Sequence, residues 1–496
     1  MVEQWTKGGT VIGEAGTDTS YTYAVTADAD IKVKFQSLFV EGGASLILSP
    51  DKLDIKVTVT TADNSSVRIE GCTETELTSG TQTVLHAKGT RVILKGNIIK
   101  LDCFNNQLIA LNVQGLTALQ ELYCGSNQLT ALNVQGLTAL ERLYCFNNQL
   151  IALNVQGLTA LERLYCYNNQ LTALNVQGCT ALQTLECRNN QLTELNVQDL
   201  TALKYLACYS NQLTELNVQG LTALRELSCY SNQLTALNAQ GCTALRELRC
   251  YDNQLTTLNV HGCTALQSLD CRGEQLTALD VQGCTALERL ECERNQLTTL
   301  NVQGCTALKE LRCGGNQLTA LNVQSLTALQ GLHCYNNKLT ALNVQGLTAL
   351  QGLYCYNNQL TILNVQGLTA LQGLHCSNNQ LTELNMQGLT TLGWLYCGNN
   401  QLTTLNVQGL TALRTLRCYN NKLTVQAFTK LFDDLPVWQD SYKGECILYT
   451  EESGVTEGNH TDFTAPPDLA AAFNNAKTVK KWKMYKWNGS WPGVEI

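Results

Sequence analysis

From Cys103 to Cys418 a cysteine returns every 21 residues: Cys103, Cys124, Cys145, Cys166, Cys187, Cys208, Cys229, Cys250, Cys271, Cys292, Cys313, Cys334, Cys355, Cys376, Cys397 and Cys418. No insertion or deletion breaks the period. One unit reads CGSNQLTALNVQGLTALERLY, and the others differ from it at few positions. Alternation around each cysteine predicts a short strand. Leu122 and Cys124 point to one side and Tyr123 to the other. A single strand of this kind cannot bury its apolar side. Stacked copies can, by forming one continuous core and one parallel sheet.

Within the unit, Leu119, Leu122, Cys124, Asn127 and Leu129 follow the pattern of a leucine-rich repeat, with cysteine in a leucine slot. Leu132, Val134 and Leu137 add further apolar positions. The expected fold is an α/β-type leucine-rich-repeat solenoid: a parallel β-sheet on the concave face, an irregular or 3-10 convex side, and a cap at each end. The expected divisions are residues 1–35 as the end of a small β module, 36–97 as a β-rich N-terminal cap, 98–424 as the solenoid and 425–496 as a mixed α+β cap. With strands about 4.8 Å apart, sixteen of them make a sheet roughly 70–75 Å long.

An asparagine column (Asn106, Asn127, Asn148, Asn169 and onward) sits where the chain leaves each strand. Its amide is expected to satisfy backbone groups of its own turn and of the next coil. Glu274 alone breaks the column. A carboxylate cannot donate as an amide does, so local relaxation is expected there, as tolerated drift.

The chain has 23 cysteines. In-register neighbours about 4.8 Å apart exceed the roughly 3.5–4.5 Å that the Cβ atoms of a disulfide prefer. No CxxC zinc pattern occurs. The ladder cysteines therefore read as small buried apolar residues, inert as thiols. Cys179, Cys242, Cys263, Cys284 and Cys305 occupy a slot that is leucine elsewhere, an apolar-for-apolar exchange. Cys72 and Cys446 lie in the flanks, with no pairing assigned.

Before the array, Tyr21, Tyr23 and Val25 alternate, followed by Ile31, Val33 and Phe35. Residues 36–97 show strand alternation at Ile55–Val59 and enter repeat register at Ile98, Leu101 and Cys103. After Leu423, residues Phe428, Leu431, Phe432 and Leu435 have helical spacing, and Pro436 stops the helix. Ile447–Tyr449 reads as a strand, and Pro466-Pro467-Asp468 starts a second short helix to about Lys477. Trp482, Met484, Tyr485 and Trp487 precede an Asn488-Gly489 turn and Trp491. The five lysines from Lys477 to Lys486 read as a solvated strand face.

Strand positions three and one before each ladder cysteine, and one after it, form the expected binding face. They carry Phe104, Tyr123, Tyr144, Phe146, Tyr165 and Tyr167 in the first repeats. A charged middle follows, from Glu186 and Arg188 to Glu310 and Arg312, interleaved with Tyr205, Tyr209, Tyr230 and Tyr251. The late repeats carry His333, Tyr335, Tyr354, Tyr356, His375, Trp394, Tyr396 and Tyr419. The opposite side repeats Leu-Asn-Val-Gln-Gly-Leu-Thr almost unchanged. A varied face on an invariant scaffold points to recognition, since tyrosine is rigid and amphipathic. Strand propensity and cross-strand stacking alone would also favour tyrosine there.

Other functions find little support. The chain has 33 Lys+Arg against 41 Asp+Glu, a net charge of -8, which offers no basic face to nucleic acid. No nucleophile–base order, phosphate loop or HExxH occurs. His333 and His375 lie two repeats apart with no acidic partner in register, so no metal site, catalytic residue or cofactor is expected. Glu291 and Glu293, beside Arg289 and Arg272, read as a cross-strand ion-pair network.

The CxNNQLTALNVQGLTALxxLxC wording, repeated over residues 90–425, resembles the internalin-J-type leucine-rich-repeat surface proteins of bacteria, in wording closest to those of Bacteroides-type anaerobes. The resemblance implies a non-enzymatic, adhesin-type protein, extracellular or on the cell surface, that binds a protein or glycan on a host or bacterial surface and supports biofilm formation and virulence. A structural spacer or self-associating scaffold is the alternative. Met1-Val2-Glu3-Gln4-Trp5 has no signal-peptide character and no LPxTG-like motif occurs. The expectation is an exported chain without its leader, anchored by another route.

Overall fold

Within each unit's ladder, the three residues before a ladder cysteine pair in parallel with those of the next repeat, 21 residues on: Leu122 with Leu143, and Leu143 with Leu164. The structure is a computed structural model. It describes residues 2–7, 10–11, 31–35, 38–439, 443–490 and 493–496, with side chains from residue 38 onward. Tyr21, Tyr23, Val25 and Trp491 lie outside the described residues. The chain divides into two units, Met1–Cys179 and Thr180–Ile496.

In the first unit Val2–Lys7 pairs antiparallel with Thr10–Val11 and with Ile31–Phe35. The cap then closes the array by two antiparallel contacts. Asp54–Thr61 pairs with Ile98–Asp102, the first strand in repeat register, and carries Gln82–His86 on its other edge. Gly43–Ile47 pairs with Ala110–Asn112 on the far side of the coil and with Arg91–Lys95. The alternation at Ile55, Val57 and Val59 buries these three side chains. Cys72 is buried and bridges Ala87.

In the second unit the parallel ladder runs without a register shift from Thr184–Glu186 to Thr415–Arg417. Strands Gly444–Thr450 and Trp482–Trp487 continue it in parallel. Cys446 pairs with Leu416, so it extends the buried leucine column into the cap. Helices Val425–Asp434 and Pro467–Thr478 pack on each other, and the second lies against Trp482–Trp487. Thr424 caps the first by accepting the N–H of Ala427. Trp482–Trp487 turns back onto Val494–Glu495. The lysines here do more than face solvent. Lys480 donates to the carbonyls of Phe432 and Asp433 at the end of the first helix, Lys477 to that of Ile496, and Lys486 pairs with Glu451. Charge placed at orphaned helix carbonyls explains the first contact.

The side opposite the sheet consists of consecutive turns closed by i to i+3 bonds, as from Leu140 N to Leu137 O. It is less irregular than expected. Ala152–Asn154 with Ala173–Asn175, Ala236–Asn238 with Thr257–Asn259, and Ala278–Asp280 with Thr299–Asn301 form short parallel ladders of their own.

All 23 cysteines are free and buried. Burial pushes the Cys145 and Cys208 thiols up to about 12, which suits an inert role. The leucine-slot cysteines do slightly more than fill space. Cys179, Cys242 and Cys263 each donate to the carbonyl 24 residues earlier, at 3.1–3.2 Å. The asparagine column works backwards from the expectation. Asn127 donates to the carbonyls of Cys124 and of Cys103 and accepts the N–H of Leu108, so it ties its turn to the preceding coil. Asn106 makes the same bonds to Lys56 of the N-terminal cap.

Candidate binding face

Parallel register stacks equivalent side chains one strand apart, so the sheet face is a set of columns. All sixteen candidate residues lie on it and all are half-buried: Tyr123, Tyr144, Phe146, Tyr165, Tyr167, Tyr209, Tyr230, Tyr251, His333, Tyr335, Tyr354, Tyr356, His375, Trp394, Tyr396 and Tyr419. Many of them contact one another. In the first unit Tyr144 stacks on Tyr165 at 4.5 Å and Phe146 on Tyr167 at 4.7 Å, both near parallel. In the second, Tyr209, Tyr230 and Tyr251 form one stack with centroids 4.2 and 4.5 Å apart. Tyr335 stacks on Tyr356 at 4.7 Å, and His375 closes on Tyr356 at 4.2 Å.

Arginines end several stacks. Arg188 and Arg272 lie over the two ends of the Tyr209–Tyr251 stack, each 5.6 Å from a ring centroid. Arg417 lies 4.1 Å over Tyr396. A guanidinium over a ring face is attractive through the ring quadrupole.

The charged middle is internally paired. Arg272 bridges Asp270 at 2.8 Å and Glu291 at 2.9 Å, and Arg289 also pairs with Glu291. Tyr335 donates to Glu293 at 3.0 Å. The in-register neighbour of His333 on the preceding strand is Arg312, but register is not the whole contact. His333 does have an acidic neighbour, because its Nε2 lies 3.2 Å from Glu310. Glu310 sits diagonally on the adjacent strand, opposite Gly331, whose missing side chain leaves the carboxylate room to lean across. His375 lies between the rings of Tyr356 and Tyr396, with the Arg417 charge close enough to act on it. Burial and that cation hold it down to about 4, so it is neutral. Among the described residues no group of three His, Cys, Asp or Glu side chains could hold a metal ion.

Sequence reasoning missed residues that carry no ring. Glycines at face positions leave space into which rings lie, and a glycine in an exposed strand slot is the signal that could have found them. It also missed Asn459. This residue lies outside the repeat register, yet it donates to the carbonyls of Cys418 and Leu448 and accepts the N–H of Leu423, so it finishes the asparagine column.

Among solved structures, the chain is similar to the functional domain of InlJ from Listeria monocytogenes, which includes a cysteine ladder. Identity is 30% over 77% of this chain and 81% of that one, with a TM-score of 0.56. A leucine-rich-repeat protein of Leptospira interrogans is 29% identical over 67% of this chain and 93% of that one, with a TM-score of 0.55. The ectodomain of the Arabidopsis receptor kinase HAESA, in complex with an extended IDA peptide hormone, shares 18% identity over 77% and 68%, with a TM-score of 0.52, a likeness of fold alone. No protein-family model and no curated protein matches the chain.

Proposed function

We propose that this chain, which belongs to the internalin-J-like cysteine-ladder leucine-rich-repeat proteins, is a non-enzymatic binding protein whose sheet faces recognise a protein partner outside the cell. Attachment to host or bacterial surfaces, and with it biofilm growth and virulence, is the role such binding would serve. The observation that carries this reading is the contrast between the two sides: ordered ring stacks and paired charges on the sheet, near-identical turns opposite. Stacking favours a protein over a glycan. A sugar packs on an open ring face, whereas most faces here are covered by the next ring. What remains accessible is ring edges and phenol groups, suited to a protein surface. Among the described residues no helix is long and apolar enough to cross a membrane.

The test is binding of the purified chain to intact bacterial and epithelial cells, with and without protease or glycosidase treatment. Tyr144→Ala, Tyr165→Ala and Tyr167→Ala together should cut binding at least tenfold with an unchanged unfolding midpoint, and protease treatment of the cells should abolish binding. Undiminished binding by the triple variant would sink the reading. Binding that survives protease and is lost to glycosidase would reassign the ligand to glycan. Concentration-dependent self-association with no cell binding would favour the scaffold role.

A further inference from the structure

Glycine is disfavoured in an exposed strand position unless another group approaches its backbone closely. On the sheet face of this chain, four glycines, one within a strand and three just past a strand end, are each followed, 21 residues later, by an aromatic residue. The pairs are Gly125 with Phe146, Gly314 with Tyr335, Gly373 with Trp394, and Gly398 with Tyr419. In every pair the ring lies over the glycine. A Cβ on Gly314 would stand 2.7 Å from Tyr335 Cζ, and one on Gly125 or Gly398 would stand 3.1 Å from its ring. A Cβ on Gly373 would fall inside the indole of Trp394. The C-terminal cap repeats the device, since Gly444 pairs with Trp482 and a Cβ there would come within 2.5 Å of the indole.

None of the four face glycines has a positive φ, so backbone conformation does not require glycine. The ring does. Two of the seated rings then found a stack: Tyr167 lies on Phe146, and Tyr356 on Tyr335. Rings therefore lean toward the preceding coil, and a glycine is where a stack can start.

We propose that these face glycines are positioning residues for recognition. Each seats the following ring over its own backbone and so fixes the pose in which that ring and its stack meet the partner. This rests on the reading that the sheet face binds, and it adds a rule for where along the face binding geometry is set.

Gly373→Ala tests it, in the full chain labelled with 5-fluorotryptophan. Trp394→Phe identifies the Trp394 fluorine resonance, and binding is measured on the same intact cells as above. The expected result is a shifted Trp394 resonance, the remaining resonances and the unfolding midpoint unchanged, and at least a fivefold loss of cell binding. Gly373→Ala added to Trp394→Ala should cost nothing further, because the glycine acts only through the ring. An unmoved resonance overturns the seat itself. A moved resonance with wild-type binding overturns the role of the seated ring in recognition, and if the tyrosine triple variant also binds normally, the binding-face reading fails with it. Additive losses would show that the glycine acts independently of Trp394 and would likewise overturn the proposal. Gly314→Ala, read by the cell binding of the variant with and without Tyr335→Ala, repeats the cycle where no indole is disturbed.

Discussion

The carboxylate of Glu274 accepts the backbone N–H of Leu255 at 2.7 Å, and its second oxygen accepts that of Asn253 at 2.7 Å. The residue is 4% exposed and stands in a column otherwise made of asparagine. Being one methylene longer, it uses both oxygens where asparagine uses one. It donates nothing. The carbonyls of Cys250 and Cys271 each keep a single asparagine donor, Asn253 and Asn295, where Cys124 has two.

Burial outweighs those two N–H bonds and raises the Glu274 acid to about 7 from its ordinary 4.5. The folded state thus holds the proton more tightly than the unfolded one. Stability from this group falls as pH rises through the interval between those values, and the full cost stands above about 7. At about 1.4 kcal/mol per unit the cost is roughly 3 kcal/mol. Glu274→Gln should therefore gain stability over the parent on going from pH 4.5 to 8, by up to that amount in urea unfolding. A pH-independent difference between the two proteins would contradict the assignment.

Asn358 donates to the carbonyls of Cys334 and Cys355 and accepts the N–H of Leu339 at 3.0 Å. Replacing it with alanine leaves the buried Leu339 N–H without its acceptor and takes one of two asparagine donors from each carbonyl, the others being Asn337 and Asn379, which should cost about 1–3 kcal/mol. Asn406 is exposed and only accepts the N–H of Gln408. Its alanine variant should stay within about 1 kcal/mol of the parent in the same denaturation series.

The thiols should be silent in the folded protein. All 23 are buried, and desolvation raises the ladder thiols far above the pH at which alkylation proceeds. Iodoacetamide at pH 8 should leave the native chain unmodified by intact-mass measurement, and should add 23 groups once urea unfolds it. Rapid native labelling would place a thiol at the surface.

His375 works with the opposite sign to Glu274. Its folded value is depressed to about 4 from 6.5, chiefly by burial and then by Arg417. The stability it allows is present above 6.5 and is lost as pH falls toward 4. His375→Phe keeps the ring contacts with Tyr356 and Tyr396 and cannot be protonated. It should flatten the loss of thermal stability between pH 6.5 and 4, and leave behaviour at pH 8 unchanged.

The 21-residue period was enough to fix which residues turn inward. Leu122, Cys124 and their equivalents are buried as alternation requires, and the sixteen face residues, eight within the strands and eight just past their ends, are all half-buried. Both caps were legible wherever a local pattern existed, at Ile55–Val59 and at Phe428–Phe432. Side assignment is a local matter, because the pleat of a strand decides it residue by residue. What a side chain touches is decided one coil away. No local pattern reveals that rings lean toward the preceding coil, that Gly373 lies beneath Trp394, that Glu310 reaches His333, or that Asn459 completes a column whose register it does not share. Those contacts join residues 21 or more positions apart, and they exist only once stacking has brought the coils within a strand's spacing of each other.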